Sequence, residues 1–189
     1  AGDEADVVSA PAPQARRSLE GFTCPVSESG KAKVLFLDAD STVRVSKVGA
    51  VTATKVDDVD ILPFAATTIR SYRRKGYVVA IISNQGGVAS GKTKYEVAEG
   101  ALRFTAAQLG KLGARVDYWD FAEAQDENRK PETGMGDKLE AALGEACKLT
   151  IDREASLMIG DSGYKEGKDG PPPDGRPADD FSNSDRLFA

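Results

Sequence analysis

The feature that most constrains the fold is the alternation of short, apolar runs with longer segments of helical periodicity. The apolar runs are KAKVLFLDAD, YVVAIISN, ARVDYWDFAE and ASLMIGDS. Runs of this length and content are typical of parallel strands buried on both faces. The helical segments are DILPFAATTIRSYRRKGY, TKYEVAEGALRFTAAQLGKLG and TGMGDKLEAALGEACKL. The pattern predicts a Rossmann-like α/β fold of three layers, with a parallel sheet between helices on both faces.

The segments outside this alternation predict the rest of the organisation. Residues 1–30 are rich in Ala, Pro, Ser and acids without periodicity, which predicts a flexible or loosely docked arm ahead of a domain at 31–189. The stretch STVRVSKVGAVTATKV alternates β-branched and polar residues around Gly49, which is typical of a β-hairpin. The hairpin is short, so we expect a small flap and no large cap domain.

The composition excludes several kinds of chemistry. The chain contains no histidine, which leaves acid–base work to Asp, Glu, Lys, Tyr or Cys and favours an oxygen-bound hard metal ion. The net charge of −5 argues against broad binding of nucleic acid, since that usually needs a basic face. No apolar run approaches the roughly 20 residues of a membrane span, so no membrane partner is expected.

The cysteines and the first residues bear on the compartment. Cys24 and Cys147 fit no zinc spacing, and we interpret them as two free thiols in preference to a disulfide. The chain opens with Ala1 and shows no charged-then-apolar signal. A soluble cytoplasmic or nuclear location is therefore favoured, and export of a mature chain stays open.

Polar side chains collect where the predicted strands end. They are Asp38 and Asp40 after the first strand, Ser83 and Asn84 after the second, and Asp161 after the last, with Arg129 and Lys130 in the later segment NRKPETGM. Ligands of parallel α/β sheets bind outside the carboxyl ends of the strands. The sequence therefore predicts one site that contains these residues.

The residue types indicate phosphate chemistry. Asp38 and Asp40 face the same way on an extended chain, and with Asp161 they make an oxygen cage suited to Mg²⁺. Ser83 can donate a hydrogen bond to a phosphoryl oxygen, and Lys130 can neutralise its charge. One aspartate is then free to act as a nucleophile, and the other to protonate the leaving oxygen.

The motifs DADST, IISN, RKP and IGDS, in this order, resemble the four motifs of the haloacid-dehalogenase-like (HAD) phosphatase superfamily. The resemblance implies a Mg²⁺-dependent phosphomonoesterase with an aspartyl-phosphate intermediate. By residue, it implies Asp38 as nucleophile, Asp40 as general acid/base, Thr42 as support of the loop, Ser83 and Asn84 as phosphate-binding residues, Lys130 as the motif lysine and Asp161 as the metal-binding acid. The implied Mg²⁺ ligands are Asp38, Asp161 and the backbone carbonyl of Asp40.

A narrower resemblance concerns SNQGGVASGK, NRKPETGMGDKL and the C-terminal DDFSNSDRLFA. These segments, and the loop GRPADDF, are similar to the 3′-phosphatase domain of polynucleotide kinase/phosphatase. The similarity implies a DNA 3′-phosphate end as substrate, with Arg129 and Asp185 supporting the site. No P-loop is present, so no kinase activity is expected of this chain, and no stable protein partner can be deduced.

Two departures keep alternatives open. Ser41 stands where the superfamily usually has glycine, and serine fits there without strain only if φ is negative. Gly136 replaces the tryptophan that follows GM in the narrower group. The alternatives are a small-molecule HAD phosphatase of the sugar-phosphate or histidinol-phosphate type, and a non-catalytic module that binds DNA ends or a protein partner.

Overall fold

The computed structural model describes residues 14–170, 172–175, 180 and 182–189. Residues 1–13 of the predicted arm and most of the GRPADDF loop lie outside the described residues. The strands are β1 Lys31–Ala32, β2 Val34–Leu37, β3 Arg44–Val45, β4 Asp60–Ile61, β5 Val78–Asn84, β6 Tyr118–Ala122, β7 Thr150–Ile151 and β8 Leu157–Ile159. The helices are α1 Ala65–Arg74, α2 Tyr95–Lys111, α3 Gly134–Cys147 and α4 Ser184–Phe188.

The main sheet is parallel and has the strand order β6-β5-β2-β8. Both β2 and β5 lie inside this sheet, and their apolar residues are buried. Because all four strands run the same way, their carboxyl ends meet at one edge. A second, two-stranded sheet pairs β1 with β7 in parallel.

Alternation along β2 divides the core between the two faces of the sheet. Leu35 and Leu37 face α1 and α2, whereas Val34 and Phe36 face α3. Each face thus buries a continuous apolar cluster, and the predicted three-layer α/β arrangement is confirmed. Within the described ranges, no helix combines the length and the apolar character that crossing a bilayer would require.

The prediction that the last strand is buried was wrong. Among the described strands, β8 pairs only with β2, and Leu157 and Ile159 are 41% and 37% exposed. The apolar run of β8 resembles that of β2. However, β8 lies at the edge of the sheet, where a strand is covered less completely than one with neighbours on both sides. Position in the sheet, which a local run does not encode, decides its burial.

The predicted hairpin also has different bounds. β3 pairs antiparallel with β4, so the second strand lies beyond the stretch STVRVSKVGAVTATKV. The intervening loop 46–59 is organised by one carboxylate: Asp58 accepts hydrogen bonds from Ser46 Oγ, from Val48 N, and from the backbone and hydroxyl of Thr54. Hydrogen bonds to the Asp58 side chain thus take the place of the backbone pairing expected for a hairpin in this stretch. The role of the loop as a flap stays a prediction.

The described end of the arm packs against the edge strand β6. Arg17 N donates to Trp119 O at 2.9 Å, and Trp119 Nε1 donates to Gln14 O at 3.1 Å. Arg16 and Arg17 both pair with the buried carboxylate of Asp120, at 2.8 and 2.9 Å. These contacts cover an edge whose unpaired backbone groups would otherwise face solvent.

The prediction of two free thiols was wrong. Cys24 and Cys147 form a disulfide that ties the arm to the end of α3, across 123 residues of sequence. The two Cα atoms lie 5.5 Å apart, which is an ordinary separation for a bridge. Sequence spacing did not reveal the pair because only the docking of the arm brings the two residues together.

Candidate active site

Three strands of the sheet deliver polar side chains to its carboxyl edge. Asp38 follows β2 directly, and its backbone N–H donates to Ile159 O at 2.9 Å. Ser83 and Asn84 end β5, the neighbour of β2. Asp161 follows β8 on the other side of β2. The parallel arrangement therefore brings these residues to the same edge, as their position in the sequence predicts.

The centre of the edge is a cluster of three carboxylates around one ammonium group. Carboxylate oxygens of Asp38, Asp161 and Asp185 lie within 4.8 Å of one another. Lys130 Nζ donates to Asp38 Oδ1 at 2.9 Å and to Asp185 Oδ1 at 2.5 Å. Lys130 is buried. Because Lys130 is buried and hydrogen-bonded to two carboxylates, its charged ammonium group is fixed in the site.

The cluster is short of positive charge. Burial raises the pKa of Asp38 to about 6, against the lowering effect of Lys130, and the charges of Asp185 and Asp40 add to the rise. The pKa of Asp161 is also raised, first by partial burial and then by the charge of Asp185. Three carboxylates against one ammonium favour a bound cation, and oxygen ligands of this kind suit Mg²⁺.

Asp185 is tied to both sides of the cluster. Its Oδ2 accepts a hydrogen bond from Ser162 N at 3.0 Å, while Oδ1 holds Lys130. A Cβ at position 160 would lie 2.1 Å from Asp185 Oδ2, so Gly160 is needed for this approach. The glycine of IGDS was the available signal, but sequence reasoning gave it no role.

The carboxylate of Asp40 is held outside this cluster by two residues that sequence reasoning did not assign. Arg44 Nε donates to Asp40 Oδ1 at 2.9 Å, and Gln85 Nε2 donates to Oδ2 at 2.7 Å. Arg44 is buried and also donates to Thr105 Oγ1 at 3.0 Å. Sequence reasoning had no distinct signal for Arg44, because Lys47 and Lys55 are charged residues of the same segment.

The two residues that end β5 differ in what they offer. Ser83 is buried and its Oγ accepts a hydrogen bond from Gln85 at 2.9 Å. Asn84 instead brackets the backbone of Lys130: its Oδ1 accepts from Lys130 N at 2.9 Å and its Nδ2 donates to Lys130 O at 3.0 Å. Its side chain thus fixes the segment that carries the lysine, and its assignment to phosphate binding stays a prediction.

The loop after Asp40 has two unexpected features. Ser41 has φ of 62°, so the condition of a negative φ is not met, and the residue occupies the left-handed region that favours glycine. Its N–H donates to Arg44 O at 2.8 Å, which closes the turn. Thr42 Oγ1 is buried and has no hydrogen-bond partner within the part of the chain that the structure describes. Its supporting role stays a prediction.

Arg129 lies beside Lys130 with part of its charge unpaired. Its Nη1 is buried and lacks a hydrogen-bond partner among the described residues. A Cβ at Gly86 would lie 3.0 Å from that same nitrogen, so the guanidinium packs directly on the backbone after β5. The supporting role of Arg129 stays a prediction.

Comparison with known proteins identifies relatives of the chain. The profile of the family described as "Polynucleotide kinase 3 phosphatase" matches residues 33–189. An uncharacterized 20.8 kDa protein of Autographa californica nuclear polyhedrosis virus is 30% identical over 161 residues, which cover 84% of this chain and 79% of that protein. The D-glycero-beta-D-manno-heptose-1,7-bisphosphate 7-phosphatase of Rhodopseudomonas palustris is 32% identical over 53% of this chain and 59% of its own length.

A solved structure shares the fold. A putative HAD-like phosphatase from Mesorhizobium loti superposes with a TM-score of 0.59 at 22% identity, over 74% of each chain. At this identity the likeness concerns the fold alone.

Proposed function

The chain belongs to the polynucleotide kinase 3 phosphatase family and is a phosphatase of the HAD-like kind, and from this premise we propose that it is a Mg²⁺-dependent phosphomonoesterase that acts on polynucleotide 3′-phosphate ends. The observation that carries the proposal is the carboxylate cluster of Asp38, Asp161 and Asp185 around Lys130. A cation-deficient cluster at the carboxyl edge of a parallel sheet suits a phosphate monoester and a metal ion together.

Asp38 is the proposed nucleophile. Its Oδ1 is held by Lys130, whereas no described residue donates a hydrogen bond to Oδ2. In the first step a bond forms between Oδ2 and phosphorus, and the bond from phosphorus to the leaving oxygen breaks. The leaving oxygen keeps the electron pair and takes a proton from Asp40, which gives an alcohol and an aspartyl phosphate.

The second step regenerates the enzyme. The Asp40 carboxylate takes a proton from water as the water oxygen bonds to phosphorus, and the bond to Asp38 breaks to release inorganic phosphate. Ser83 and Lys130 lie beside Asp38 and stabilise charge on the phosphoryl oxygens. Asp38, Asp161 and the backbone carbonyl of Asp40 would hold Mg²⁺, which when bound neutralises the carboxylates and polarises a phosphoryl oxygen.

Arg129 extends the site beyond the reacting phosphate. Arg129 lines the open groove beside Lys130 and forms no ion pair with a described carboxylate, so its guanidinium suits a second anionic group, such as the next phosphodiester of a strand. We expect Arg129→Gln to raise KM for a 3′-phosphorylated strand roughly tenfold and to leave KM for a simple aryl phosphate unchanged. Arg153→Gln, which alters an exposed arginine, is the matched control. Equal KM values for Arg129→Gln and the wild type would contradict this role.

One observation favours a second candidate, hydrolysis of a small sugar bisphosphate. The open groove beside Arg129 and Lys130 is also lined by Asp126, Glu127 and Glu132. These acids repel a long polyanion more than they repel a compact substrate with only two phosphates. A relative named as a heptose-bisphosphate phosphatase agrees with this candidate.

A substrate panel separates the candidates. The full chain with Mg²⁺ is incubated with a DNA strand bearing a 3′-phosphate, the same strand bearing a 5′-phosphate, a heptose 1,7-bisphosphate and an aryl phosphate. The proposal expects kcat/KM for the 3′-phosphate to exceed the others at least about tenfold, a preference equivalent to about 1.4 kcal/mol. Release of phosphate from the sugar alone would establish the second candidate. Binding of 3′-phosphate ends without release of phosphate would establish a non-catalytic module.

The disulfide bears on the proposed location. A structural bridge between Cys24 and Cys147 forms and persists in oxidising compartments. We therefore propose export of the mature chain in preference to a cytoplasmic or nuclear location. Free thiols in protein isolated from its native source under alkylating conditions would contradict this proposal.

A further inference from the structure

Gln85 is a buried amide whose polar atoms are all engaged at the site. Its Nε2 donates to Asp40 Oδ2 at 2.7 Å and to Ser83 Oγ at 2.9 Å. Its Oε1 accepts from Thr52 Oγ1 at 3.0 Å. The residue is 4% exposed, and its backbone N–H donates to Ala122 O at 2.8 Å. These hydrogen bonds hold the side-chain amide in one orientation.

The orientation of the amide follows from its partners. Asp40 offers only acceptor atoms when ionised, so the group facing it must be the NH₂ end of Gln85. The carbonyl end then meets Thr52, whose hydroxyl can donate. The reverse orientation would place a carbonyl oxygen against a carboxylate oxygen.

This orientation determines what Ser83 can do. Gln85 donates to Ser83 Oγ, so that oxygen acts as an acceptor towards the protein. No acceptor for the Ser83 hydroxyl hydrogen is found in the described part of the chain. The hydrogen is therefore available for a phosphoryl oxygen, which is the donor that the site requires.

The same amide fixes Asp40 from the side opposite to Arg44. The guanidinium holds Oδ1 and the amide holds Oδ2, so the carboxyl plane cannot rotate without loss of a hydrogen bond. Effective proton transfer to a leaving oxygen requires a carboxyl group in a defined place. Gln85 thus contacts both groups that must meet the same phosphate.

We propose that Gln85 is a positioning residue that sets the acid/base carboxyl of Asp40 and the hydroxyl of Ser83 for one phosphate, with Thr52 of the 46–59 loop as its anchor. The inference rests on the proposed phosphatase function. Gln85 itself touches no reacting atom in this scheme. Its effect is exerted through the two residues to which it donates.

The leaving group provides the test. An alkyl monoester, such as a nucleoside 3′-phosphate, needs protonation of its leaving oxygen, whereas 4-nitrophenyl phosphate does not. Gln85→Met keeps the volume and removes all three side-chain hydrogen bonds. We expect it to lower kcat/KM about 100-fold for the alkyl ester, the scale of general acid catalysis, and less than about tenfold for the aryl ester. Gln108→Met, in α2, is the matched control and should change neither.

Each outcome decides the proposal. Equal losses for the two esters, or no loss, would overturn the positioning role while wild-type turnover upholds the phosphatase function. A wild-type chain that hydrolyses neither ester would overturn both. If Gln85→Met does not fold, Thr52→Val carries the test because it removes only the anchoring bond. It should lower alkyl-ester turnover several-fold and leave aryl-ester turnover unchanged, and unchanged turnover of both esters would overturn the role.

Discussion

Two clusters built around buried carboxylates in this molecule differ in charge balance. Around Asp120, two guanidinium groups from Arg16 and Arg17 meet one fully buried carboxylate, which also accepts the N–H of Phe121 at 2.8 Å. Around Lys130, one ammonium group meets carboxylates that have no further cation in the described chain. The first cluster has one cation for each carboxylate, since Arg16 also pairs with Glu123 at 2.9 Å, although Asp120 Oδ2 has no hydrogen-bond partner among the described residues. It fastens the arm to the sheet. The second has three carboxylates for one cation, and a charge deficit of this kind is typical of functional sites.

The most direct test of this difference is to remove the carboxylate of Asp38 from the cluster around Lys130. We expect Asp38→Asn to lower turnover at least about 1,000-fold, because no other group replaces the nucleophile. The thermal midpoint should stay the same or rise, since an ionised carboxylate that is unfavourably buried is removed. Asp57→Asn makes the same change on an exposed acid and should affect neither quantity. Retained turnover in Asp38→Asn would exclude Asp38 as nucleophile.

A cation should complete the second cluster. We expect chelation to stop turnover, and Mg²⁺ at 100 times its Kd to stabilise the fold by about 2.7 kcal/mol. Asp161→Asn should abolish that stabilisation, because one of the converging oxygens is lost. Calorimetric titration of the protein with Mg²⁺ and thermal unfolding measure this independently of activity. Equal stabilisation of Asp161→Asn and the wild type would contradict the proposed ligand.

The cluster around Asp120 should respond differently to substitution. Arg16→Met leaves Asp120 with Arg17 as its remaining cation, and we expect a loss of about 2 kcal/mol in the free energy of unfolding, somewhat less than for an unpaired buried charge. Turnover by the folded protein should not change. Arg153→Met, at an exposed ion pair, should alter stability by no more than about 0.5 kcal/mol. Denaturant titrations compare the two, and equal losses would show that Asp120 does not depend on Arg16.

Asp58 is a third case, because its buried carboxylate is stabilised by hydrogen bonds from neutral groups and not by a cation. Hydrogen bonds from Thr54 N and Ser46 Oγ hold the pKa of Asp58 well below its usual range. A carboxyl with a lowered folded-state pKa contributes stability above its unfolded pKa of about 3.9, and this is lost as the pH falls. We therefore expect Asp58→Asn to unfold at a lower temperature than the wild type near pH 7. The difference should shrink below about pH 4, and a constant difference would contradict this account.

The centre of the fold could be predicted from local sequence. Strands β2 and β5 carry continuous apolar runs, and burial on both faces demands little else of them. The polar residues at their ends followed from the same logic, since parallel strands share a carboxyl edge. Asp38 and Lys130, 92 residues apart, meet at 2.9 Å because Lys130 lies in the segment that follows the carboxyl end of β6.

Features that depend on distant docking could not be predicted. Arg16 and Asp120 are 104 residues apart, and neither side chain carries a local signal of its partner. The bounds of the β3–β4 pair failed because Asp58, a single side chain, replaced backbone pairing in the loop. The sequence left the conformation of Ser41 open, because serine ordinarily avoids the positive φ that it adopts in the turn closed by its hydrogen bond to Arg44 O.

The disulfide makes part of the chain a covalent ring. Residues 25–146 are enclosed between Cys24 and Cys147, and the ring contains Asp38, Ser83 and Lys130, whereas Asp161 and Asp185 follow it. A single protease cut inside the ring, for instance in the 46–59 loop, leaves both pieces attached. The nicked molecule would keep its mass on a non-reducing gel and separate into fragments only with reductant. Asp38, the proposed nucleophile, and Lys130, which holds it, therefore stay in one molecule after damage that would divide an unbridged chain.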